Sequence, residues 1–229
     1  MSTARERILR ATAELLATKD ALAISTRAIC ERAGVGMPEI YRRFGDKQGL
    51  LTAVADLGFE RFLANKRRNP HTDDPVVDLR AAWDSHVAFA LDNPHLYRLM
   101  FTPTGDAKPQ GIREARALVQ SAVERCRDAG RLRTTPELAG RSILSANVGV
   151  CLMALCFPES FGEPDLSRSV RDAVIGAVTG DEREDTRIGT ATVLAQALIG
   201  TLTGTAAVDT TALDGLARAL RPQAQPSDE

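Results

Sequence analysis

The sequence predicts an all-α protein, and three observations support this fold class. Residues that cap helix N-termini recur along the chain, and apolar residues follow them at the three-to-four spacing of an amphipathic helix. Prolines stand one residue after Asp74, Asn93 and Thr135, where the first turn of a helix tolerates them. No strand-like alternation of apolar and polar residues persists along the chain.

The first predicted helix spans residues 3–17. Thr3 and Glu6 fit a capping box, in which each side chain satisfies a free backbone amide of the first turn. Ile8 and Leu15 then recur at helical spacing, so this helix is expected to bury one face.

Two short helices and a long one are predicted next. Ser25 caps a helix that ends near Ala33, and the glycine-containing segment 34–36 interrupts the chain. A third helix follows over residues 37–44, and Asp46 caps a long fourth helix.

The rest of the chain is predicted to consist of helices joined by loops, with no internal repeat. The expected spans are about 75–91, 94–101, 111–129, 136–157, 165–179, 185–206 and 210–220. The polar tail, residues 220–229, is expected to be disordered.

The composition indicates an ordinary soluble protein, with 44% hydrophobic and 26% charged residues. No apolar run reaches the roughly 18 residues needed to cross a bilayer, and the N-terminus lacks an apolar signal core. We therefore expect a cytoplasmic protein with no membrane partner. The four cysteines form no CxxC pair, and no histidine lies at zinc-ligand spacing from them, so neither a metal site nor a cofactor is predicted.

Charge is divided unevenly along the chain. Residues 1–70 carry 13 Lys and Arg against 8 Asp and Glu, while the remainder carries a net charge of −6. A basic first third on an acidic body is typical of a nucleic-acid-binding end, although chance clustering would give the same pattern.

Residues 25–47 predict a helix-turn-helix. Two short helices are joined by a glycine-containing turn of about four residues. The residues expected to pack inward are Ile29, Ala33, Val35, Ile40 and Phe44. The second helix would then present its polar side outward, the arrangement that enters the major groove of DNA.

This segment resembles the TetR family of bacterial transcriptional regulators. The family signature is Ile-Ala-x-x-Ala-Gly-Val-Ser-x-x-x-Leu-Tyr-x-x-Phe-x-x-Lys-x-x-Leu. It is matched, at unbroken spacing, by Ile29, Ala33, Gly34, Val35, Tyr41, Phe44, Lys47 and Leu50. Cys30 and Ile40 are conservative departures, and Gly36 replaces a serine that could cap the helix and touch phosphate.

The resemblance implies how the chain contacts the DNA backbone. Ser25 and Arg27 begin the helix that crosses the backbone. Tyr41, Arg43 and Lys47 resemble the phosphate-contacting residues of the family.

The resemblance also implies which residues approach the bases. Met37, Pro38, Glu39 and Arg42 occupy these positions, together with Gly36. Arginine can pair with guanine and glutamate can accept from cytosine, whereas methionine and proline offer only apolar contact. The set is sparse in polar groups, so we expect DNA shape to contribute to recognition.

The segment from Trp83 to Phe101 resembles one C-terminal type of the same family, whose helical C-terminal region binds a ligand and dimerises. The resemblance implies a homodimer and a largely apolar small-molecule ligand. The residues predicted to line the pocket are Trp83, His86, Phe89, Tyr97, Met100, Phe101, Met153 and Phe157. For any one of them, a place in the core is the alternative.

Two helices are predicted to form the dimer interface because they are apolar on more than one face and rich in small residues. The residues expected there are Ala139, Ile143, Ala146, Val150, Val193, Ala197, Gly200 and Gly204. Burial of these helices inside one subunit is the alternative.

The sequence thus predicts a DNA-binding domain over residues 1–48 and a helical ligand-binding and dimerisation domain over 49–229. The expected function is a transcriptional regulator, a repressor that a small molecule releases from a double-stranded DNA operator. Two alternatives stay open: a helical adaptor that has lost DNA binding, and an all-α enzyme. No nucleophile triad, phosphate loop or paired-carboxylate motif favours the enzyme.

Overall fold

The computed structural model describes residues 2–67, 71–102 and 108–180, and the all-α fold class is confirmed there. In these ranges the regular structure consists of helices, with one isolated bridge between Leu132 and Thr179. The helices are α1 (Ala4–Leu16), α2 (Thr26–Ala33), α3 (Met37–Phe44), α4 (Lys47–Arg67), α5 (Pro75–Asp92), α6 (Pro94–Phe101), α7 (Gly111–Asp128), α8 (Pro136–Cys156), α9 (Pro158–Phe161) and α10 (Pro164–Val178). A single 3-10 turn, Ala21–Ala23, lies between α1 and α2.

The predicted helices agree with these bounds to within one residue wherever the structure describes them. The four-residue helix α9 was not predicted, because one turn shows no periodicity. The predicted helices over 185–206 and 210–220 and the tail 220–229 lie outside the described residues.

Side-chain caps fix the beginnings of the N-terminal helices. The capping box of α1 is present: Thr3 Oγ1 accepts from the Glu6 amide at 3.2 Å, and Glu6 Oε2 accepts from the Thr3 amide at 3.1 Å. Asp46 accepts from the Gly49 amide at 2.7 Å, which satisfies an amide in the first turn of α4.

Helices α1–α4 share one hydrophobic core with α6 and the start of α7. Its most enclosed side chains, each fully buried, include Ile8, Ile29, Ile40, Leu50 and Phe59. Each comes from a different helix except the last two, which lie on α4. The helix-turn-helix is therefore anchored on the first half of α4.

A second core joins α5, α7, α8 and α10 around Trp83, Val123 and Ile175. Helix α8 is the longest apolar helix described, with a mean hydropathy of 1.5 over 18 residues, of which a third are buried. By length and composition it could cross a membrane, but a core helix of a soluble protein meets the same test. Here it packs against α5, α7 and α10.

Helix α4 connects the two cores through a close contact with α7. The Gly111 amide, at the start of α7, donates to Asp56 Oδ1 on α4 at 3.1 Å. A Cβ at Gly111 would lie only 2.2 Å from Phe59 Cβ, so a glycine is required for the two helices to approach this closely. The predicted domain boundary at residue 48 falls one residue after the start of this shared helix and stays a prediction.

We predict that Gly111→Ala destabilises the protein by about 1–3 kcal/mol, because the new methyl group meets the Phe59 side chain at its base, where it cannot move aside. Thermal or denaturant unfolding measures this change. Gly36→Ala in the turn before α3 is the matched control, since its Cβ would meet only Pro38 Cδ, at the ordinary contact distance of 3.5 Å. Equal stability of the two variants would contradict the α4–α7 contact.

Candidate functional site

The turn between α2 and α3 holds the two helices in a fixed arrangement. Ser25 Oγ accepts from the Ala28 amide at 3.1 Å and so caps α2. Gly34 closes α2 with φ of +63°, a left-handed conformation that favours glycine. From α1, Arg7 Nε donates to the last carbonyl of α2, that of Ala33, at 3.2 Å. Ile40 of α3 is fully buried, so α3 has only one face free to contact a partner.

The outward face of α3 is aromatic and basic. The Tyr41 side chain is 52% exposed and Met37 is 38% exposed. Arg42 and Arg43 are exposed beside Tyr41, and Lys47 is partly exposed at the start of α4. Two guanidinium groups and a phenol on α3 thus lie close to an ammonium group at the start of α4. All four groups can donate hydrogen bonds to phosphates.

Glu39 ties the two arginines of α3 together. Its Oε2 accepts from Arg43 Nε at 2.8 Å, and its Oε1 forms a second ion pair with Arg42. Hydrogen bonds from Arg43 and then Arg42 lower the pKa of Glu39 below its ordinary value. The three side chains together carry a single positive charge rather than two.

A similar pair lies at the start of α2. Arg27 Nε donates to Glu31 Oε1 at 2.8 Å, with both side chains largely exposed. Exposed pairs of this kind contribute little to stability, so the arginine can exchange its partner for a phosphate.

A cavity of about 150 Å³ lies between α4, α5, α7 and α8. Its wall is mainly apolar, with Leu79, Trp83, Leu118, Val119, Ala122, Ile143 and Leu144. At its edge, Asp78 pairs with Arg125 at 2.7 Å. Burial would raise the pKa of Asp78, but hydrogen bonds from Thr72 and Arg125 outweigh this and hold it at about 2.

Three polar side chains reach the cavity from different helices. Lys66 Nζ of α4 donates to the Ala82 carbonyl of α5 at 2.6 Å. Asn147 of α8 is buried and donates to the Trp83 carbonyl at 3.4 Å. His86 Nε2 lies 2.8 Å from the Tyr97 hydroxyl, and burial, followed by the Lys66 charge, lowers the pKa of His86 to about 3, so the ring is neutral.

Comparison with known proteins decides the family. Residues 8–54 match the model of bacterial regulatory proteins, tetR family. Residues 79–215, more than half of the chain, match the tetracyclin repressor-like C-terminal domain. The chain belongs to the TetR family. Its helix-turn-helix is therefore that of a bacterial transcriptional regulator.

Individual relatives agree with this assignment. The HTH-type transcriptional activator FasR of Mycolicibacterium smegmatis is 30% identical over 126 residues, so the chain matches only 56% of the length of that relative. SmeT, the repressor of the Stenotrophomonas maltophilia multidrug efflux pump SmeDEF, is 26% identical with a TM-score of 0.61, covering 80% of this chain and 93% of SmeT. A Rhodococcus sp. RHA1 protein of unknown function shares the fold, with a TM-score of 0.65 at 21% identity, covering 78% of this chain and 96% of that one.

The structure brings only two of the predicted pocket residues of this TetR-family chain to the cavity, Trp83 and His86. Tyr97 and Met100 are buried elsewhere in the core, and Phe89 and Phe101 pack against the same clusters. The last two predicted pocket residues, Met153 and Phe157, are exposed. Large apolar side chains fill cores as readily as they line pockets, so size alone does not separate the two.

The predicted dimer residues on α8 lie on its inward face. Ala139 and Ile143 are buried within the protomer, and Ala146 and Val150 pack against the same core. A partner would meet the opposite face of α8, which exposes Leu138, Arg141, Ser145, Gly149 and Met153. The other four predicted residues, Val193, Ala197, Gly200 and Gly204, lie outside the described residues.

Lys66 and Asn147 are among the polar cavity residues that sequence reasoning missed. Lys66 follows Phe59 and Phe62 at helical spacing, so it continues the buried stripe of α4. A charged residue in line with such a stripe is the signal that could have identified it.

We predict that Glu39→Gln strengthens binding to non-specific DNA, because Arg42 and Arg43 then both present uncompensated charge to phosphates. The log–log slope of affinity against salt should steepen by up to about one unit. Titration of a labelled duplex of arbitrary sequence at several salt concentrations measures both quantities.

Glu14→Gln is the matched control for this experiment. Glu14 on α1 pairs with Arg32 at 2.7 Å, away from α3, so the variant makes the same change in net charge without freeing Arg42 or Arg43. If both variants steepened the slope equally, net charge rather than the Glu39 pairs would be responsible.

Proposed function

We propose that this TetR-family chain binds operator DNA as a homodimer and releases it when a small molecule occupies the cavity. The observation that carries the DNA-binding part is the exposed aromatic and basic face of α3, held on a fully buried Ile40. A rigid scaffold that presents such a face suits insertion into the major groove.

Five residues of the proposed DNA interface are assigned contacts to the DNA backbone. Tyr41, Arg43 and Lys47 contact phosphates, and Ser25 and Arg27 contact the backbone from the start of α2. These contacts fix the register on DNA, whereas base contacts give specificity.

Base contacts are proposed for Arg42 and Glu39, with apolar contact from Met37 and Pro38. Gly36 carries no side chain and has open space around it apart from Pro38 Cδ at 3.5 Å, so the turn can lie close to the DNA backbone. Because Glu39 pairs with both arginines in the free protein, reading a base requires these pairs to rearrange.

We propose that ligand binding acts through α4. This helix starts at Lys47 beside the DNA-contacting face and extends to Lys66 at the cavity. Over 21 residues an α-helix spans about 30 Å, so a small tilt at the cavity displaces the other end. A protein that leaves DNA when it binds a ligand acts as a repressor in its free form, and SmeT is described as a repressor. FasR is named as an activator. Transcription measured with and without the protein distinguishes repression from activation.

The proposed dimer interface uses the exposed faces of α8 and α10, which pack side by side. Gly149 on α8 and Gly176 on α10 each leave open space where a side chain would stand, and small Ala173 and Ala177 are exposed nearby. Small residues permit close helix contact, and α8 exposes apolar surface that a second copy would cover. Dimerisation would pair two half-sites on the operator.

One observation favours the second candidate function, a helical adaptor without DNA binding. The Glu39 pairs remove half of the charge that α3 presents, and Gly36 supplies no hydroxyl for phosphate. Selection of bound fragments from a genomic library distinguishes the two candidates. Absence of salt-dependent binding to any fragment would reject the regulator.

We predict distinct effects for two α3–α4 substitutions once an operator is selected. Lys47→Ala should weaken binding to all DNA and reduce the salt slope by about one unit, because one phosphate contact is lost.

Arg42→Ala should cost roughly 1–3 kcal/mol of binding free energy on the operator and relax the sequence specificity of the protein. Titrations of operator and scrambled duplexes separate the two effects. Equal losses on both duplexes for Arg42→Ala would contradict a base-reading role.

We predict that Gly149→Arg produces monomers and lowers operator affinity, because the new side chain has room within the protomer but none against a packed partner. Sedimentation equilibrium measures the mass. Ala88→Arg is the control, since Ala88 is an exposed small residue on α5, a helix outside the proposed interface. A dimeric Gly149→Arg protein would contradict the use of α8.

A further inference from the structure

The cavity contains a cation that lacks an anionic partner. Lys66 Nζ donates to the Ala82 carbonyl and lies 5.0 Å from the centre of the Phe62 ring. In the part of the chain that the structure describes, no carboxylate lies within ion-pair distance of it. An ammonium group has three N–H donors, so the Ala82 bond leaves further hydrogen-bonding capacity.

The other charged groups at the cavity are already balanced. Asp78 accepts from Arg125 at 2.7 Å and from the Thr72 hydroxyl at 2.7 Å. Arg125 also donates to the Thr72 carbonyl at 3.1 Å and contacts His71. A negatively charged ligand group would therefore be drawn to Lys66 rather than to Arg125.

The surroundings of Lys66 make its charge costly. Burial lowers the pKa of Lys66 to about 8, which still leaves the side chain mainly protonated at neutral pH. A partly buried cation without a counter-charge is stabilised when an anion is brought to it in a site that excludes water.

The remaining walls limit the size and character of the ligand. Trp83, Val119 and Ile143 offer apolar contact, and the buried Asn147 offers an amide donor. The cavity of about 150 Å³ is smaller than the roughly 300–1,000 Å³ of sites for drug-sized molecules. It accommodates a compact apolar body with a single polar head. A phosphate dianion would need several donors, whereas Lys66 and Asn147 suffice for a carboxylate.

We propose that the ligand is a small organic carboxylate whose apolar body lies against Trp83 and Ile143 and whose carboxylate accepts hydrogen bonds from Lys66. This inference rests on the proposed ligand-responsive function and adds the chemical class of the ligand. Lys66 then determines the preference for acids over neutral molecules of the same shape.

The test uses the full chain and the fluorescence of Trp83, the one tryptophan in the sequence, which lines the cavity. The probes are two matched pairs, hexanoate with hexanamide and cyclohexanecarboxylate with cyclohexanecarboxamide. Each acid should bind at least about tenfold more tightly than its amide, as expected for a charge-assisted hydrogen bond. Release of the selected operator is measured in parallel with the same four probes.

Variants assign the preference to Lys66. Lys66→Met should reduce the acid-to-amide ratio to about one by weakening acid binding alone, and Lys66→Arg should retain a preference for acids. Lys19→Met is the matched control, because Lys19 is exposed in the turn after α1 and should leave the ratio unchanged. Circular dichroism and the cooperativity of thermal unfolding verify that each variant folds. If Lys66→Met does not fold, Lys66→Gln replaces it as the neutral variant, with the same expected ratio of about one.

The outcomes separate this inference from the proposed function. Equal binding of acid and amide, or an acid preference that survives in folded Lys66→Met, overturns the carboxylate assignment while leaving ligand response intact. Absence of any Trp83 response at millimolar probe also overturns it. Operator release by uncharged compounds from a thermal-shift screen would then uphold the proposed function, whereas no release by any compound would reject that function.

Discussion

The contact between α4 and α7 at Phe59 and Gly111 is the constraint on which the rest of the described structure depends. A methyl group at Gly111 would lie 2.2 Å from Phe59 Cβ, so the two helices approach more closely here than a residue with a Cβ would allow. Because Asp56 also accepts from the Gly111 amide, α4 is held to the helices around the cavity by both packing and a hydrogen bond. Closely packed interiors transmit displacement instead of absorbing it.

Helix α4 extends from this contact to the proposed DNA-contacting face. Leu50 and Val54 pack with α1–α3, whereas Phe62 touches the rings of His86 and Phe89 on α5. Helix α4 therefore packs in the first core and also contacts α5, a helix of the second core. A ligand shifts the balance between DNA-competent and incompetent states only through its differential affinity for them, and a helix that contacts both sites supplies a physical link.

The local parts of this fold were predictable from sequence, and the parts that depend on tertiary packing were not. Capping residues and glycines act within a few residues of themselves, so the bounds of α3 were predicted as residues 37–44 and observed there. Whether an aromatic side chain lines a cavity or fills a core depends on which helix faces it. Trp83 reaches the cavity and Tyr97 does not, although both were predicted to do so. The inward direction of Ile143 on α8 has the same origin.

The two proposed functional surfaces differ in whether their basic residues are paired with a carboxylate, and this difference suits the ligand proposed for each surface. On α3, Glu39 already pairs with both arginines, so the proposed contact with DNA would exchange one anionic partner for another. At the cavity, Lys66 has a carbonyl and an aromatic ring but no carboxylate among the described residues. Its bond to Ala82 joins α4 to α5, and the proposed carboxylate would compete for the same ammonium. A ligand that takes over this donor weakens the α4–α5 contact at the end of the helix opposite Lys47, which is how binding energy at the cavity would favour one position of α4 over another.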